Sequence, residues 1–421
     1  MSEMPVVSRR TMFRGMLGSG MLMGMESFGT VKPAEAAVIS PKDSIKVTKL
    51  ETFYVKPRWL FLKIYTDAGI VGLGDATLES REETCAAAVH ELGRYLIGKD
   101  PRRVVAHWQA MYKAANPYRG GPILMSAISG IDQALWDITG KAFGVPVWQL
   151  FGGPIRERVR VYWDTLHLPP AMLQEKMKEG FTAFKAAPLE YAGTERPSPM
   201  PLRDTPAYVD AIVENAASLR EAIGKNREFA VHIGEASYRA SMQIINALEQ
   251  FQPMFFEIHA NNYEYDVMAD IASKTRVPIA TGEDVYTKWG FRPILMKRAA
   301  SILQPDCSHT GGITELYKIA AMADAFDVTI APHNPLSPID LAAATQVAAV
   351  IPNFFALETS DRGVSDPKLQ GWSGSWRGVD LLKEPLRVEA GDLVVPTGPG
   401  LGIELDENAL AKHITDIPAD R

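Results

Sequence analysis

Seven ionisable residues carry most of the chemistry that this sequence offers: Lys185, His232, Glu257, Glu283, Asp306, His333 and Glu358. Glu257 and Glu283 are hard oxygen donors, and two such carboxylates at one mouth with open positions suit Mg²⁺. A divalent ion there would polarise a substrate carboxylate and stabilise the enediolate left when an α-proton departs. That proton needs a base. His333 is the candidate, and a carboxylate beside it, Asp306, would fix its tautomer, orient it and raise its basicity. Lys185 suits binding of the substrate carboxylate or support of the metal site, and Glu358 suits a hydrogen bond to the developing enediolate.

These residues need elements that bring them together. From residue 155 short strands alternate with helices. The expected strand cores are Val159–Trp163, Ala183–Ala187, Phe229–Ile233, Met254–Ile258, Ile279–Gly282, Ile302–Pro305, Thr329–Pro332 and Phe354–Leu357, with helical stretches such as Tyr208–Ile223, Met242–Phe251 and Glu315–Phe326 between them. Repeated strand–helix units imply right-handed crossovers and a parallel sheet. Eight of them in about 200 residues imply a (β/α)8 barrel, whose chemistry sits at the carboxyl ends of its strands. Lys185 and His232 lie on the second and third strands, and Glu257, Glu283, Asp306, His333 and Glu358 close the fourth to the eighth. A stability role for all seven is hard to sustain, because buried charge is costly unless it is paired or metal-bound. Residues 45–75 read as strands and 81–145 as helices, Gly98 ending the first and Ser126 to Ala142 forming a second. The expected organisation is a signal-like segment (1–37), an α+β capping domain (45–155), the barrel (156–360) and a carboxyl-terminal segment (361–421) packing on the capping domain.

A family resemblance joins this reading. Arg58-Trp59-Leu60-Phe61-Leu62-Lys63-Ile64, Ala88-Val89-His90-Glu91-Leu92-Gly93, the run from Tyr118 to Ile128 and Gly130-Ile131-Asp132-Gln133-Ala134-Leu135-Trp136-Asp137 resemble the capping domain of galactonate dehydratases. In the barrel, Thr281-Gly282-Glu283, Ile302-Leu303-Gln304-Pro305-Asp306, Ser308-His309-Thr310-Gly311-Gly312-Ile313 and Ala331-Pro332-His333 do so too, as does Gly398-Pro399-Gly400-Leu401-Gly402-Ile403-Glu404. The intervals from Glu257 to Glu283, Asp306, His333 and Glu358 are 26, 23, 27 and 25 residues. They resemble the run of second ligand, third ligand, dyad Asp, dyad His and eighth-strand Glu in the enolase superfamily, of the mandelate racemase and muconate lactonizing enzyme type. The resemblance implies the barrel with its cap and the enolase-type pairing of a Lys or His base with Mg²⁺. Its implied activity is dehydration of an acid sugar.

The third strand departs from that pattern. The family places an Asp there as its first metal ligand, and galactonate dehydratases add a His two residues later as the acid for the departing hydroxyl. This chain reads Glu228-Phe229-Ala230-Val231-His232-Ile233-Gly234-Glu235, without an Asp. Aligned from the left, His232 takes the Asp position and Gly234 the His position; counted back from Glu257 the Asp position falls on Val231; keeping the His puts it on Ala230. Period-two alternation sets His232 with Ala230 and Gly234, opposite Phe229, Val231 and Ile233, which points His232 to the mouth as ligand or acid, a packed histidine being the alternative. As a ligand it makes a site of one His and two Glu, moving preference from Mg²⁺ toward Mn²⁺ or another transition metal. The usual Glu-Glu-Pro of the fourth strand is Glu257-Ile258-His259, and His259 is a supplementary ligand, a substitute acid or a solvated loop residue. Lys185 is followed two residues on by Ala187 in place of a second Lys, which removes the opposite-face base of a two-base racemase. The Pro-rich stretch from Pro188 to Pro206 leaves substrate identity open, since loops after barrel strands set specificity.

Composition narrows the partners. Hydrophobic residues at 46% and charged residues at 22% are ordinary for a globular protein, and a net charge of −6 leaves no basic excess for nucleic acid. Cys85 and Cys307 make no disulfide framework. Ser8-Arg9-Arg10-Thr11-Met12-Phe13-Arg14, an apolar stretch from Met16 to Met25 and Ala34-Glu35-Ala36 form a twin-arginine-like signal, too short to span a membrane. The expected location is the periplasm, with the cytoplasm as the alternative if the segment is only an extension. The expected partners are an acid sugar and further copies of the chain. Alternatives to the dehydratase are an acid-sugar epimerase, racemase or cycloisomerase, and a catalytically silent acid-sugar-binding relative.

Overall fold

The structure is a computed structural model that describes residues 38–114, 117–165, 170–189, 205–234, 236–259, 265–335, 337–360 and 379–416. The signal-like segment and most of the Pro-rich stretch from Pro188 to Pro206 lie outside the described residues.

The amino-terminal part is an antiparallel sheet under helices. Strands β1 (Val47–Val55), β2 (Trp59–Thr66) and β3 (Val71–Asp75) form a meander, followed by helices α1 (Glu82–Leu96), α2 (Val104–Ala114) and α3 (Pro122–Phe143). Pro122 opens α3 and Gly144, in the left-handed region, ends it. Helix α3 is buried almost all round because it lies between β3 and the barrel. Its buried polar residues each serve a neighbour. Asp137 accepts from Leu73 N at 2.9 Å and from Leu401 N at 2.8 Å. Gln133 accepts from Asp75 N at 2.8 Å and donates to Ser308 Oγ at 3.1 Å.

The barrel follows after the short helix α4 (Val147–Leu150). Strands β4 (Arg158–Asp164), β5 (Ala183–Ala186), β6 (Glu228–Gly234), β7 (Phe256–Ile258), β8 (Ile279–Thr281), β9 (Ile302–Leu303) and β10 (Thr329–Ile330) pair in parallel in that order. The ring closes through the parallel bridge of Ile330 to Phe354 and the parallel pairing of β11 (Leu357–Ser360) with β4. Between strands run α5 (Pro170–Lys178), α6 (Pro206–Ile223), α7 (Tyr238–Leu248), α8 (Tyr265–Ser273), α9 (Thr287–Lys297), α10 (Gly312–Asp324) and α11 (Pro338–Ala348). Phe229, Val231 and Ile233 of β6 join the large core shared with the helices, whereas Ala230 joins a separate cluster with Tyr162, Ala183, Ala280 and Ala331 that fills the barrel interior.

Several boundaries differ from expectation. Strands β9 and β10 end before Pro305 and Pro332, because proline cannot donate to the ladder. The eighth strand begins at Leu357 instead of Phe354; its polar Glu358-Thr359-Ser360 end is held by pairing with β4, a tertiary contact that strand propensity does not encode. Helix α7 starts earlier than Met242 because the Ser237 side chain caps it. The carboxyl-terminal segment divides its contacts. Strands β12 (Val388–Glu389) and β13 (Asp392–Val394) form a hairpin that pairs with β4, while α12 (Glu407–Ala411) sends Glu407 to Lys63 at 2.7 Å and β14 (Ile414–Thr415) pairs with β1.

Helix α3 also caps a barrel helix. Asp132 accepts from Thr314 N at 2.9 Å in the first turn of α10 and from the Thr314 hydroxyl. Gly312 stands at φ +76, and a Cβ there would collide with the Asp132 carboxylate, so the approach requires glycine. Burial is the dominant influence on Asp132 and raises its carboxyl to about 7, against the opposing bonds from Thr314. The folded state therefore holds this proton more tightly than the unfolded chain, whose Asp titrates near ~4. The associated stability is fully present below that value and is lost as pH rises through about 7. Asp132→Asn retains an acceptor for Thr314 N and a donor for its hydroxyl. Urea unfolding is expected to show the variant gaining on the parent between pH 5 and pH 8 by an amount on the order of a few kcal/mol; a difference independent of pH would contradict the assignment.

Candidate active site

The carboxyl ends of the barrel strands gather every expected site residue into one connected network. Lys185, on β5, is 1% exposed and sits between two carboxylates. Its Nζ lies 3.1 Å from Glu257 Oε1 and 2.9 Å from Glu358 Oε1. Glu358, fully buried on β11, also accepts from the Tyr162 hydroxyl at 3.2 Å. Burial pushes Glu358 up, in spite of Lys185. Burial acts on Glu257 in the same sense, but Lys185 and His232 outweigh it and hold this carboxyl well below its usual range. The β6–β7 register sets His232 opposite Glu257, and His232 Nδ1 bonds Glu257 Oε1 directly. Gln304 Nε2 donates to Glu257 Oε2.

The second half of the network holds the base. His333 Nδ1 lies 2.8 Å from Asp306 Oδ2, and its Nε2 lies 3.3 Å from Glu283 Oε2. Burial alone would lower the imidazole, yet Glu283, Glu358 and Asp306 together push it up to about 10. Glu283 responds in kind: burial would raise it, and the charge of His333 with the neighbouring His259 holds it far below the ordinary carboxylate range. The loop after β9 keeps Asp306 in place. Asp306 Oδ1 accepts from Ser308 N at 2.7 Å, and the Ser308 hydroxyl donates to Asp340 at 2.6 Å. Trp108 Nε1 from α2 donates to Gly311 O at 2.8 Å, and Ser129 of α3 accepts from Gly311 N at 2.9 Å. The amino-terminal part thus grips the loop that presents the dyad.

The residues that could hold an ion differ from expectation. Among the described residues, the donor atoms of His232, His259 and Glu283 lie within 4.8 Å of one another. Glu257 stands outside that group, with its oxygens meeting Lys185, His232 and Gln304. His259 Nε2 is 2.9 Å from Glu283 Oε1 but is not aligned for a hydrogen bond. Two imidazoles and one carboxylate can hold a dication, but they are not the all-oxygen set that Mg²⁺ prefers. Four contributors are not evident from the sequence alone: Gln304, Tyr162, Ser308 and His309. His309, 5% exposed, meets Ser126 Oγ at 3.0 Å through Nδ1 and approaches Glu79 at 3.5 Å through Nε2. Burial works against its protonation, but Asp306 and Glu79 push it up to about 9. A lone polar residue inside an apolar strand, such as Gln304 between Leu303 and Pro305, is the signal that could have marked one of them.

Residues 171–409 match the enolase C-terminal domain-like family, and residues 35–152 match the N-terminal domain of mandelate racemase and muconate lactonizing enzyme. The chain belongs to the enolase superfamily. Its fold is the superfamily's capping domain on a (β/α)8 barrel. A D-galactonate dehydratase of Variovorax paradoxus (strain S110) is 42% identical over 386 residues, covering 89% of this chain and 96% of the relative. A solved member of the enolase superfamily from Salmonella Typhimurium aligns with a TM-score of 0.78 at 28% identity, covering 88% of this chain and 98% of that one. An enolase from Agrobacterium radiobacter, bound to Na and L-malate, aligns with a TM-score of 0.77 at 27% identity over 89% of this chain and 96% of its own. Enolase-superfamily members work with a divalent metal, typically Mg²⁺.

Lys185 is the hinge of the buried charge network in this superfamily member. Without its ammonium, Glu257 and Glu358 would be left as buried charges short of a counter-ion, a change that costs ~3–5 kcal/mol when one partner of a buried pair is removed. Lys185→Met is expected to lose that amount in urea unfolding, and Glu257→Gln in the same chain to restore part of it through coupling of ~1 kcal/mol or more. A Lys185→Met protein as stable as the parent would show that the network carries no such strain.

Proposed function

We propose that this chain is a hydro-lyase that dehydrates an acid sugar, beginning with abstraction of the proton α to its carboxylate by His333. One observation carries the reading: among the described residues at the mouth, His333 is the imidazole held by an aspartate. His333 is held by Asp306 at 2.8 Å with Nε2 turned to Glu283. The lysine of the second strand is committed to Glu257 and Glu358, and Ala187 stands where a second lysine would be. A one-base site favours elimination over two-base racemisation.

The residues divide the work as follows. Asp306 holds the Nδ1–H of His333, so Nε2 is the nitrogen that takes the α-proton; a dication at Glu283 would offset the anions that keep Nε2 protonated and free its lone pair. The carboxylates around His333 stabilise the imidazolium that forms when it takes the α-proton, in the manner of any base whose conjugate acid sits among anions. Glu358 balances Lys185 at the mouth, and a carboxyl pushed up by burial is suited to share a proton with the enediolate oxygen as it develops. A dication held by His232, His259 and Glu283 would supply Lewis-acid polarisation of the substrate carboxylate. With His232 turned to Glu257, the third strand presents no separate acid histidine among its described residues. The proton for the departing hydroxyl then comes from His333 itself: the α C–H and β C–O bonds break, water leaves, and the enol relaxes to a 2-keto-3-deoxy acid. The 42% identity to a D-galactonate dehydratase supports the acid-sugar class.

A panel of acid sugars assayed with semicarbazide should reveal a carbonyl product, and unreacted substrate recovered from D₂O should show no opposite epimer. His333→Asn is expected to lower kcat by ~10²–10⁴-fold with little change in substrate binding. Accumulation of the epimer in place of carbonyl product would rank epimerisation first.

A further inference from the structure

Parallel pairing of β6 with β7 places His232 against Glu257, and this juxtaposition decides what each can do. A carboxylate offers about four lone-pair sites. Glu257 meets four contacts: His232 Nδ1 and Lys185 Nζ at Oε1, and Lys185 Nζ and Gln304 Nε2 at Oε2. It is 1% exposed. Three donor groups, from Lys185, His232 and Gln304, thus engage both oxygens of this buried carboxylate.

The neighbouring atoms show the complementary pattern. With Nδ1 bonded to Glu257, the nitrogen that His232 has to offer is Nε2. Gly234 keeps that atom clear: at φ +68 it has no side chain, and a Cβ there would stand 3.2 Å from His232 Nε2. The rings of His232 and His259 lie 5.2 Å apart at 71°. His259 Nε2 and Glu283 Oε1 approach to 2.9 Å without hydrogen-bond alignment, and the His259 nitrogen is buried. Two donor atoms of one coordination sphere stand about 3 Å apart when each is ~2.1 Å from the ion. The His259–Glu283 spacing also fits two neighbouring ligands of one ion.

We propose that His232, His259 and Glu283 form a two-histidine, one-carboxylate centre for a transition-metal dication, and that Glu257 is the outer carboxylate that orients His232. Imidazole nitrogens favour Mn²⁺, Fe²⁺, Co²⁺ or Zn²⁺ over Mg²⁺, which dehydrates reluctantly and prefers oxygen. A carboxylate behind a ligating histidine fixes its tautomer and raises its basicity, a recurrent outer-sphere arrangement. The centre carries one ligand carboxylate in place of three, so a bound dication keeps more of its positive charge for an incoming anion. The third strand's missing Asp and the fourth strand's His259 thereby belong to one centre, with Glu257 held against Lys185 behind it.

The test uses the full chain stripped with a chelator and titrated by calorimetry with Mg²⁺, Mn²⁺, Co²⁺ and Zn²⁺, with the Co²⁺ absorption bands as a second readout. Co²⁺ and Zn²⁺ are expected to bind at least ~100-fold more tightly than Mg²⁺. His259→Ala should lose Co²⁺ affinity and alter its bands. His259→Gln, which keeps a donor atom of the harder kind, should move preference toward Mg²⁺ and serves if the Ala variant does not fold. Glu257→Gln should keep one ion per chain with the parent's bands and weaken it ~10–100-fold. Equal affinity for Mg²⁺ and Co²⁺ would overturn the proposal. So would unchanged Co²⁺ binding and bands in the His259 variants, or loss of all binding in Glu257→Gln with retention in the His259 variants. No readout depends on turnover, so failure of the dehydratase reading leaves the centre standing, and failure of the centre leaves that reading open.

Discussion

A carboxylate removed from water must be surrounded by donors, and Glu257 is the carboxylate around which this barrel mouth is arranged. An unpaired ion there would cost several kcal/mol. Lys185 reaches it from one strand, His232 from the next and Gln304 from beyond a third. Each solution creates the next requirement. The buried lysine needs a second anion, which is Glu358, and Glu358 in turn accepts from Tyr162. Compensation of charge thus runs around the ring, and the strands cannot slide against one another without stranding a buried ion.

The second constraint comes from outside the barrel. The loop carrying Asp306 has little regular structure of its own, and it is held by side chains of the amino-terminal helices: Trp108, Ser129 and Gln133. Asp132 completes the grip at the start of α10. His309 extends it to Ser126 and Glu79. The proton-accepting imidazole is therefore aligned at second hand, through an aspartate whose position is set by a helix more than a hundred residues earlier in the chain.

Much of this was legible in the residues themselves. The alternation of short strands with helical stretches marked the barrel, and Gly98 marked the end of α1, because both signals are local. The seven ionisable positions stood out because charge repeated at successive strand ends serves chemistry far more readily than it serves stability. What the sequence could not disclose was partnership. Nothing in Glu257 or His259 read alone says that the first is enclosed by Lys185 and Gln304 while the second faces Glu283; that follows from register and depth. Tyr162 and Gln304 escaped notice because an amphipathic or neutral residue in an apolar run looks like packing until the carboxylate beside it is placed. The eighth strand slipped by three residues for a related reason: Phe354 and Phe355 have strand propensity, but the pairing with β4 belongs to Leu357–Ser360.

Strands far apart in sequence close both sheets. Strand β4 waits for β11, nearly two hundred residues later, and β1 waits for β14 at the far end. Pairings of such sequence separation form late and slowly. During synthesis on the ribosome, the strand bearing Glu358 emerges after every other contributor to the mouth, so Lys185 lacks its second anion until then. A nascent chain that stops short of β11 consequently holds the other parts of the mouth without the charge balance that Glu358 supplies.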